Sequence, residues 1–338
     1  MSKVLMGLMP ATPSWSPDTR SSSQLSLMKK SGLIFIVGPT AVGKSEVGLC
    51  LASRLKAEIV CCDALQVYRE ILIASDKPSA QLRMKVPHHL VDILSVTQDF
   101  NVARYRQLAV SAIGDIHARG KTPLVVGGSG MYMSVLLDGI FEEMPGDEDL
   151  RGKLTQELSS KGSAVLHERL KALDPKAAGK IHPNDPQRII RALQVVISTG
   201  KAISSLQEKR EGLWGKMPVK IFALDRPRQE LYQRAQARVE EMFAKGLVEE
   251  IKRVEALPLS NTARKLIGIP EVMGYLKGEY DLERAKYLMK LHTRHYVKRQ
   301  LTWFRRDKRL EWIDIDQNQS AADIADIIEF GATRRNPN

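Results

Sequence analysis

The stretch LIFIVGPTAVGKS, residues 33–45, decides the fold of this chain. Five apolar residues, Leu33–Val37, precede the pattern G-x-x-x-x-G-K-S, and a helical pattern extends from Ser45 to about Leu55. A strand before this pattern and a helix after it distinguish a P-loop from a chance match. The sequence therefore predicts a phosphate-binding P-loop. A strand–helix turn that binds no ligand is the alternative.

Each part of this loop has a chemical role. Glycines allow successive backbone N–H groups to converge on one phosphate, and the helix N-terminus adds a partial positive charge. Lys44 adds a full charge, and the hydroxyl of Ser45 is suited to hold Mg²⁺. The predicted phosphate-binding residues are Gly38, Pro39, Thr40, Ala41, Val42, Gly43, Lys44 and Ser45. We expect a bound diphosphate or triphosphate, and the motif alone leaves open whether it is a nucleotide such as ATP.

The composition points to a polyanionic partner. The chain has 338 residues and a formal net charge of +12. Such an excess of basic residues favours nucleic acid, although it can also serve solubility alone. No apolar run approaches the length of a membrane span. The three cysteines, Cys50, Cys61 and Cys62, form neither a disulfide framework nor a zinc motif, so we expect buried thiols in a cytoplasmic protein.

Short apolar runs that alternate with helical patterns predict an α/β fold, with a P-loop NTPase-like parallel sheet flanked by helices. The predicted strands are Leu33–Val37, Glu58–Cys62, Leu124–Val126 and Val219–Leu224. The predicted helices are Asn101–Arg119, Glu148–Lys161, Ser163–Leu173, Asp185–Ser198, Arg228–Leu257 and Asp281–Asp307.

The same patterns suggest how the chain is divided. Strand signals are missing from residues 139–217, which predicts an inserted all-helical domain. Residues 31–138 and 218–338 would then form the P-loop core. Residues 1–30 are rich in Ser, Pro, Thr and Met without periodicity, and we expect a disordered extension.

Asp63 follows the strand after the P-loop helix. A carboxylate beside the phosphates and facing an acceptor substrate is well placed as a general base. It could instead be a magnesium ligand or a cap of the following turn. We favour the base, because a carboxylate on this strand faces the acceptor in small P-loop kinases.

Three further segments carry candidate residues. Gly127–Gly130 is a glycine-rich turn after a strand, which could approach a ligand closely or could only be a tight turn. Arg188 and Arg191 share a helix face and could clamp RNA phosphates or lie solvated at the surface. Arg234 and Arg238 are one turn apart, and an arginine there could bind a diphosphate.

The segment Arg284–Arg309 is strongly basic. It holds ten Lys and Arg residues and one acid, Asp307, with apolar residues at near-helical spacing. Such a helix could lie on a membrane surface. A soluble core for it to pack on makes binding to an RNA backbone the better interpretation, with Arg305, Arg306, Lys308 and Arg309 as the strongest phosphate contacts.

Taken with the P-loop, four motifs resemble those of the bacterial tRNA dimethylallyltransferase family. They are D-A-L-Q-V-Y-R at 63–69, V-G-G-S-G-M-Y at 126–132, H-P-N-D-P-Q-R at 182–188 and K-R-Q-L-T-W-F-R at 298–305. The likeness runs collinearly from about residue 33 to 313. The chain departs from the family at Ala64, in Ile73–Pro78, where the family usually has I-G-T-A-K-P, and at Ile269-Pro270, where it often has Tyr-Arg.

The resemblance implies transfer of a dimethylallyl group from dimethylallyl diphosphate to N6 of adenosine 37 in tRNAs that decode codons beginning with U, which gives N6-(dimethylallyl)adenosine and diphosphate. It implies Asp63 as the base, Lys44 and Arg238 on the diphosphate, and Mg²⁺ near Ser45 as the cofactor. It implies contacts to the tRNA anticodon stem-loop from the helical insertion and from Asp63, Ala64, Leu65, Gln66, Ser129, Arg151, Gln187, Arg188, Ile189, Ile190, Arg191, Lys265 and Gly268. We expect a monomer.

Three other functions remain as alternatives. A prenyltransferase acting on free AMP, ADP or ATP would share the catalytic core, but it would not need the basic segment Arg284–Arg309. A nucleoside or nucleotide kinase, or a non-catalytic RNA-binding NTPase, would share the P-loop.

Overall fold

A six-stranded, all-parallel sheet forms the centre of the protein, in the order β3-β2-β4-β1-β5-β6. The computed structural model describes residues 32–140, 147–208 and 210–333, so the predicted extension 1–30 lies outside it. The strands are β1 (Leu33–Val37), β2 (Glu58–Cys61), β3 (His88–His89), β4 (Pro123–Gly127), β5 (Val219–Asp225) and β6 (Glu311–Asp314).

Helices flank the sheet and extend beyond it. They are α1 (Lys44–Leu55), α2 (Ala80–Lys85), α3 (Val102–Ala118), α4 (Gly130–Leu137), α5 (Glu148–Lys161), α6 (Ser163–Leu173), α7 (Pro175–Ala178), α8 (Pro186–Thr199), α9 (Ile203–Glu208), α10 (Arg228–Ala244), α11 (Leu247–Glu255), α12 (Ile269–Leu276), α13 (Leu282–Phe304) and α14 (Ala321–Thr333). The predicted parallel α/β fold is confirmed.

Both faces of β1 are covered, which explains why its sequence is a continuous apolar run. Ile34 and Ile36 point to one hydrophobic cluster, which contains residues of α1 and α14. Phe35 and Val37 point to the other, which contains residues of α3, α4 and α10–α12. The alternation along one strand therefore joins two helical layers through the sheet.

The register of the sheet brings three loops to one edge. Val37 pairs with Gly127 and with Ala223, and Cys61 pairs with Val126. Because parallel strands end at the same edge, the P-loop after β1, the turn that begins with Asp63 after β2 and the glycine-rich turn after β4 lie side by side.

Helices α5–α9 pack on each other through an apolar cluster of their own. Its largest buried members include Leu166, Leu170, Ile189 and Leu193. The buried carboxylate of Asp174 accepts hydrogen bonds from the backbone N–H groups of Ala177 and Ser204, which fastens the start of α7 to α9. These helices lie in the stretch where the sequence predicts a helical insertion.

The structure corrects the prediction of one long helix over Arg228–Leu257. Two helices, α10 and α11, replace it, because Gly246 adopts a left-handed conformation with φ 94° between them. Glycine reaches that region without a steric cost, so it ends a helix that periodicity alone would continue.

Of the elements that the structure describes, two strands and six α-helices have no counterpart in the sequence prediction: β3, β6, α2, α4, α7, α9, α12 and α14. The strand β3 has only two residues, and it is secured by a side-chain contact, since the ring Nε2 of His89 lies 2.7 Å from a carboxylate oxygen of Glu58. A two-residue strand held by a tertiary contact has no periodicity for a sequence pattern to detect.

Candidate active site at the carboxyl edge of the sheet

The P-loop adopts the backbone conformation that its glycines allow. Gly38 has φ 145°, and a Cβ there would lie 2.6 Å from the carbonyl oxygen of Leu224. Gly43 has φ 105° at the N-cap of α1, where no side chain makes a capping hydrogen bond. The first N–H groups of α1 are therefore left for another acceptor, as in an anion-binding helix terminus.

Two arginines outside the motif hold the carbonyl side of the loop. Arg234 Nε donates to the Ala41 carbonyl at 2.8 Å, and Arg226 Nε donates to the Val42 carbonyl at 3.2 Å. In a peptide unit the N–H points away from the C=O, so the Gly43 N–H points away from the Val42 carbonyl that Arg226 holds. The N–H of Val42, which follows the Ala41 carbonyl, instead donates to the Pro39 carbonyl at 3.4 Å. The sequence prediction gave Arg234 a diphosphate as its partner and did not identify Arg226.

Gln300 is a further residue that the sequence analysis missed. Its side-chain oxygen accepts the backbone N–H of Thr40 at 2.9 Å, and its side-chain nitrogen donates to the Gly128 carbonyl at 2.9 Å. The protein itself therefore binds the N–H of Thr40, so this N–H does not point freely at a phosphate as the sequence analysis predicted. Gln300 is buried on α13 and joins this helix to two loops of the site.

The glycine-rich turn after β4 is shaped by packing against the protein itself. A Cβ on Gly127 would lie 2.1 Å from the Cys62 carbonyl oxygen. On Gly128 it would lie 2.3 Å from Gln300, and on Gly130 2.2 Å from the Trp303 ring. These glycines allow the close approach of β2, β4 and α13, and Gly127 also lines the cleft described next.

An open cleft lies between the P-loop, the end of β2 and α10. Its lining residues are Thr40, Lys44, Ser45, Leu49, Ile59, Cys61, Asp63, Gln66, Asp76, Pro78, His88, Val126, Gly127 and Arg238. The cleft therefore brings together the predicted base, two predicted diphosphate-binding cations and the predicted magnesium ligand.

Lys44 and Asp63 determine the electrostatics of this cleft. Burial lowers the pKa of Lys44 to about 8; the charge of Arg238 acts in the same direction, and that of Asp63 opposes it. The Lys44 ammonium donates to the Pro39 carbonyl at 2.7 Å. One oxygen of Asp63 accepts the N–H of Leu65 at 2.8 Å, so this residue caps the turn as well as lining the cleft.

The donors in the cleft suit Mg²⁺ better than a transition metal. In the ranges that the structure describes, no group of three or more His, Cys, Asp or Glu could hold a metal ion. Ser45 and Asp63 offer a hydroxyl and a carboxylate in the same cleft. Magnesium is typically bound by one or two carboxylates together with water and substrate phosphates, so these residues fit it.

Arg238 reaches the cleft from α10. Its Nη2 lies 3.1 Å from a carboxylate oxygen of Asp76, which lines the same cleft. Of the two arginines that the sequence analysis paired, the structure thus brings Arg238 to the cleft and uses Arg234 to support the P-loop.

The predicted tRNA-contacting residues differ in how far they are exposed to solvent. Arg151, Gln187, Arg188 and Lys265 are exposed, and Ala64, Leu65, Gln66, Ser129 and Arg191 are half-buried. Ser129 also caps α4, where its hydroxyl accepts the N–H of Tyr132 at 3.4 Å.

Three of the predicted tRNA-contacting residues are buried and so need correction. Ile189 and Ile190 lie in the apolar cluster of α5–α9, and Gly268 is buried with φ 104°. The protein covers the side chains of Ile189 and Ile190, so these cannot contact RNA, and Gly268 has no side chain to contact it.

The basic helix α13 also differs from the prediction at its end. Arg309 forms ion pairs with Asp138 and Asp307 and lies over the Trp214 ring, and Arg305 lies 3.1 Å from Asp225. Of the four predicted phosphate contacts, Arg306 and Lys308 are exposed and appear in no ion pair described here.

Comparison with known proteins identifies relatives over nearly the whole chain. The family model described as IPP transferase matches residues 66–307. The chain is 43% identical to "tRNA dimethylallyltransferase 2" of Geotalea uraniireducens, over 90% of this chain and 98% of that protein. It is 44% identical to "tRNA dimethylallyltransferase" of Carboxydothermus hydrogenoformans, over 83% of this chain and 91% of that protein.

Solved structures show the same relationship. A full-length tRNA isopentenylpyrophosphate transferase from Bacillus halodurans superposes with a TM-score of 0.65 at 36% identity, covering 90% of this chain and 97% of its own. A eukaryotic dimethylallyltransferase acting on tRNA superposes with a TM-score of 0.72 at 28% identity, covering 90% and 81%. Among the described helices, none is long and apolar enough to cross a membrane.

Proposed function

The chain belongs to the IPP transferase family, and we propose that it is a tRNA dimethylallyltransferase, which transfers a dimethylallyl group to tRNA. In finer detail, the donor is dimethylallyl diphosphate, the acceptor is N6 of adenosine 37 in tRNAs that decode codons beginning with U, and the products are N6-(dimethylallyl)adenosine and diphosphate. One observation supports the chemistry of this transfer: Lys44, Asp63 and Arg238 line a single cleft beside the P-loop.

The donor's diphosphate occupies the P-loop. The N–H groups at the N-terminus of α1, Lys44 and Arg238 bind its oxygens. Arg226, Arg234 and Gln300 hold the backbone of the loop in place before the reaction, so the site stabilises the charge that develops as the allylic C–O bond breaks. Ser45 would hold Mg²⁺, which when bound supplies further positive charge to the leaving diphosphate.

Asp63 removes the proton from the acceptor amine. An exocyclic amine is a poor nucleophile, so its proton must leave as the new C–N bond forms. The hydrogen bond from the Leu65 N–H to one carboxylate oxygen fixes the orientation of Asp63 and leaves the other oxygen for the acceptor. The adenine has to leave its stack in the RNA loop to reach a cleft at this depth.

The tRNA contacts basic residues at the surface. Arg188 on α8 and Lys298, Arg299 and Arg306 on or just beyond α13 are exposed, and Arg191 on α8 is half-buried. Such contacts to phosphates and sugars recognise the shape of a stem-loop more than its sequence. We expect the enzyme to act as a monomer in the cytoplasm.

Mass spectrometry of tRNA after incubation with the enzyme, dimethylallyl diphosphate and Mg²⁺ tests this function. The expected result is a gain of one dimethylallyl group on adenosine 37 and release of diphosphate. Transfer to free AMP with unmodified tRNA would instead indicate a mononucleotide prenyltransferase. RNA-stimulated ATP hydrolysis without prenyl transfer would indicate an RNA-binding NTPase.

A further inference from the structure

Asp76 is held rigidly at the mouth of the cleft. The buried carboxylate of Glu250 accepts hydrogen bonds from the backbone N–H groups of Leu72, Ile73 and Ala74, at 2.7–2.9 Å. The N–H of Asp76 then donates to the Ile73 carbonyl at 3.1 Å, and Asp76 itself has φ 46°. Its carboxylate therefore projects from a fixed turn, not from a free surface loop.

The carboxylate of Asp76 contacts a cation of the proposed diphosphate site. Its Oδ2 lies 3.1 Å from Arg238 Nη2, and both residues line the cleft that contains Lys44 and Ser45. A guanidinium binds a carboxylate and a phosphate through the same N–H donors. A diphosphate that takes Arg238 Nη2 must therefore displace Asp76 from it.

The charge of Asp76 also acts on the ligand directly. A diphosphate bound to the P-loop would be an anion in the same cleft as the Asp76 carboxylate, and two negative charges within one cleft repel each other. Because Glu250 holds the backbone of the turn, the Cα of Asp76 stays beside the cleft when the diphosphate binds, and only its exposed side chain can rotate. The carboxylate would remain close to Arg238 and ready to bind it again.

We propose that Asp76 is a positioning residue that competes with diphosphate for Arg238 and so weakens the binding of the diphosphate product. This inference rests on the proposed function, because it takes diphosphate as the ligand of the cleft. It assigns Asp76 to product release: the carboxylate binds the guanidinium again as diphosphate departs, which lowers the barrier to clearing the site for the next donor.

Asparagine is the informative substitution at this position. Asp76→Asn removes the charge and keeps the shape, and Asn tolerates the left-handed backbone about as well as Asp does. Glu240→Gln is the matched control. It removes a carboxylate from the same helix as Arg238, but Glu240 pairs with Lys290 and Lys286 on α13 and does not line the cleft.

The experiment measures the affinity of magnesium diphosphate for the full chain by calorimetry. We expect Asp76→Asn to bind diphosphate about two- to fivefold more tightly than the wild type, the range expected for an exposed ion pair. Glu240→Gln should bind diphosphate with wild-type affinity. In the Arg238→Ala background, the gain in diphosphate affinity from Asp76→Asn should be smaller, because the guanidinium for which Asp76 and the diphosphate compete is gone.

Each other result overturns the proposal. Weaker binding by Asp76→Asn would mean that the carboxylate helps to hold the diphosphate or its metal. Unchanged diphosphate affinity would mean that Asp76 and the diphosphate do not compete for Arg238. An equal gain in affinity in the Arg238→Ala background would mean that Asp76 acts only by electrostatic repulsion of the diphosphate.

The same experiment separates this proposal from the proposed function. A wild-type chain that neither binds diphosphate nor prenylates tRNA would contradict the function itself. A wild type that does both, while Asp76→Asn fails to gain affinity, would contradict only the role of Asp76. Product inhibition gives a second readout, because diphosphate should inhibit Asp76→Asn at a lower concentration.

Discussion

The side-chain oxygen of Gln300 accepts the backbone N–H of Thr40 at 2.9 Å, across 260 positions of sequence. This contact joins the basic helix α13 to the P-loop, and the other end of the same amide binds the Gly128 carbonyl. The surface proposed for tRNA and the cradle proposed for diphosphate thus share one buried side chain.

Replacing Gln300 with leucine should loosen the P-loop. Both hydrogen bonds would be lost, which leaves the partly buried Thr40 N–H and the buried Gly128 carbonyl unpaired, the buried carbonyl at a cost of about 1–3 kcal/mol. We expect a lower melting temperature and a KM for dimethylallyl diphosphate raised more than the KM for tRNA. Steady-state kinetics with each substrate varied in turn provide the measurement.

The control for Gln300 lies on the same helix. Lys298 is exposed and does not contact the P-loop, so Lys298→Gln should raise the KM for tRNA and leave the donor KM unchanged. A Gln300→Leu variant whose donor KM equals that of the wild type would show that the P-loop keeps its shape without this contact.

Replacing Asp63 with alanine should remove the proposed base and leave the RNA surface intact. We expect the turnover number to fall by about 10²–10⁴-fold, the usual contribution of general base catalysis. The dissociation constant for tRNA, measured by filter binding, should change little, because one side chain in the cleft is a small part of that surface. Wild-type turnover in Asp63→Ala would exclude the assignment.

The pKa of Lys44 predicts how donor binding depends on pH. Burial lowers this pKa to about 8, so the ammonium is charged below that pH and neutral above it. A bound diphosphate favours the charged form and raises the pKa in the complex. Donor affinity should therefore be constant below about pH 8 and should fall above it, by up to about tenfold for each pH unit.

The measurement is the donor KM between about pH 6.5 and 9.5, where the terminal phosphate is already ionised because its second pKa is near 6. Lys44→Arg keeps its charge over this range, so its diphosphate affinity should lose the pH dependence even if turnover is poor. A flat profile in the wild type would show that Lys44 does not contact the diphosphate.

The sequence predicted what depends on local pattern. The P-loop, the four long parallel strands and the edge on which Asp63 lies all follow from apolar runs and from the rule that parallel strands end together. Gly246 shows the limit of periodicity, because a glycine within a helical pattern breaks the helix only when the tertiary structure uses its left-handed conformation.

What the sequence did not reveal are contacts between distant parts of the chain. Nothing near Gln300 indicates that its partners are Thr40 and Gly128, and nothing near Glu250 indicates that it binds three backbone N–H groups of residues 72–74. A polar residue in a helix has the same local pattern whether it meets solvent or a loop brought to it by the fold.

The end of the basic segment gives the sharpest test of the RNA surface, because two arginines three positions apart should behave in opposite ways. Arg309 is tied to Asp138 and Asp307, so Arg309→Gln should lower the melting temperature by leaving two partly buried carboxylates without their partner.

Arg306 is exposed, so Arg306→Gln should keep the melting temperature. It should weaken tRNA binding and reduce the slope of log K against log salt concentration by about one unit, since one phosphate contact is lost. Thermal melts and salt titrations of both variants provide the measurement. If Arg309→Gln instead lost salt-dependent tRNA affinity at full stability, its ion pairs would open on RNA binding and the sequence prediction for Arg309 would be right.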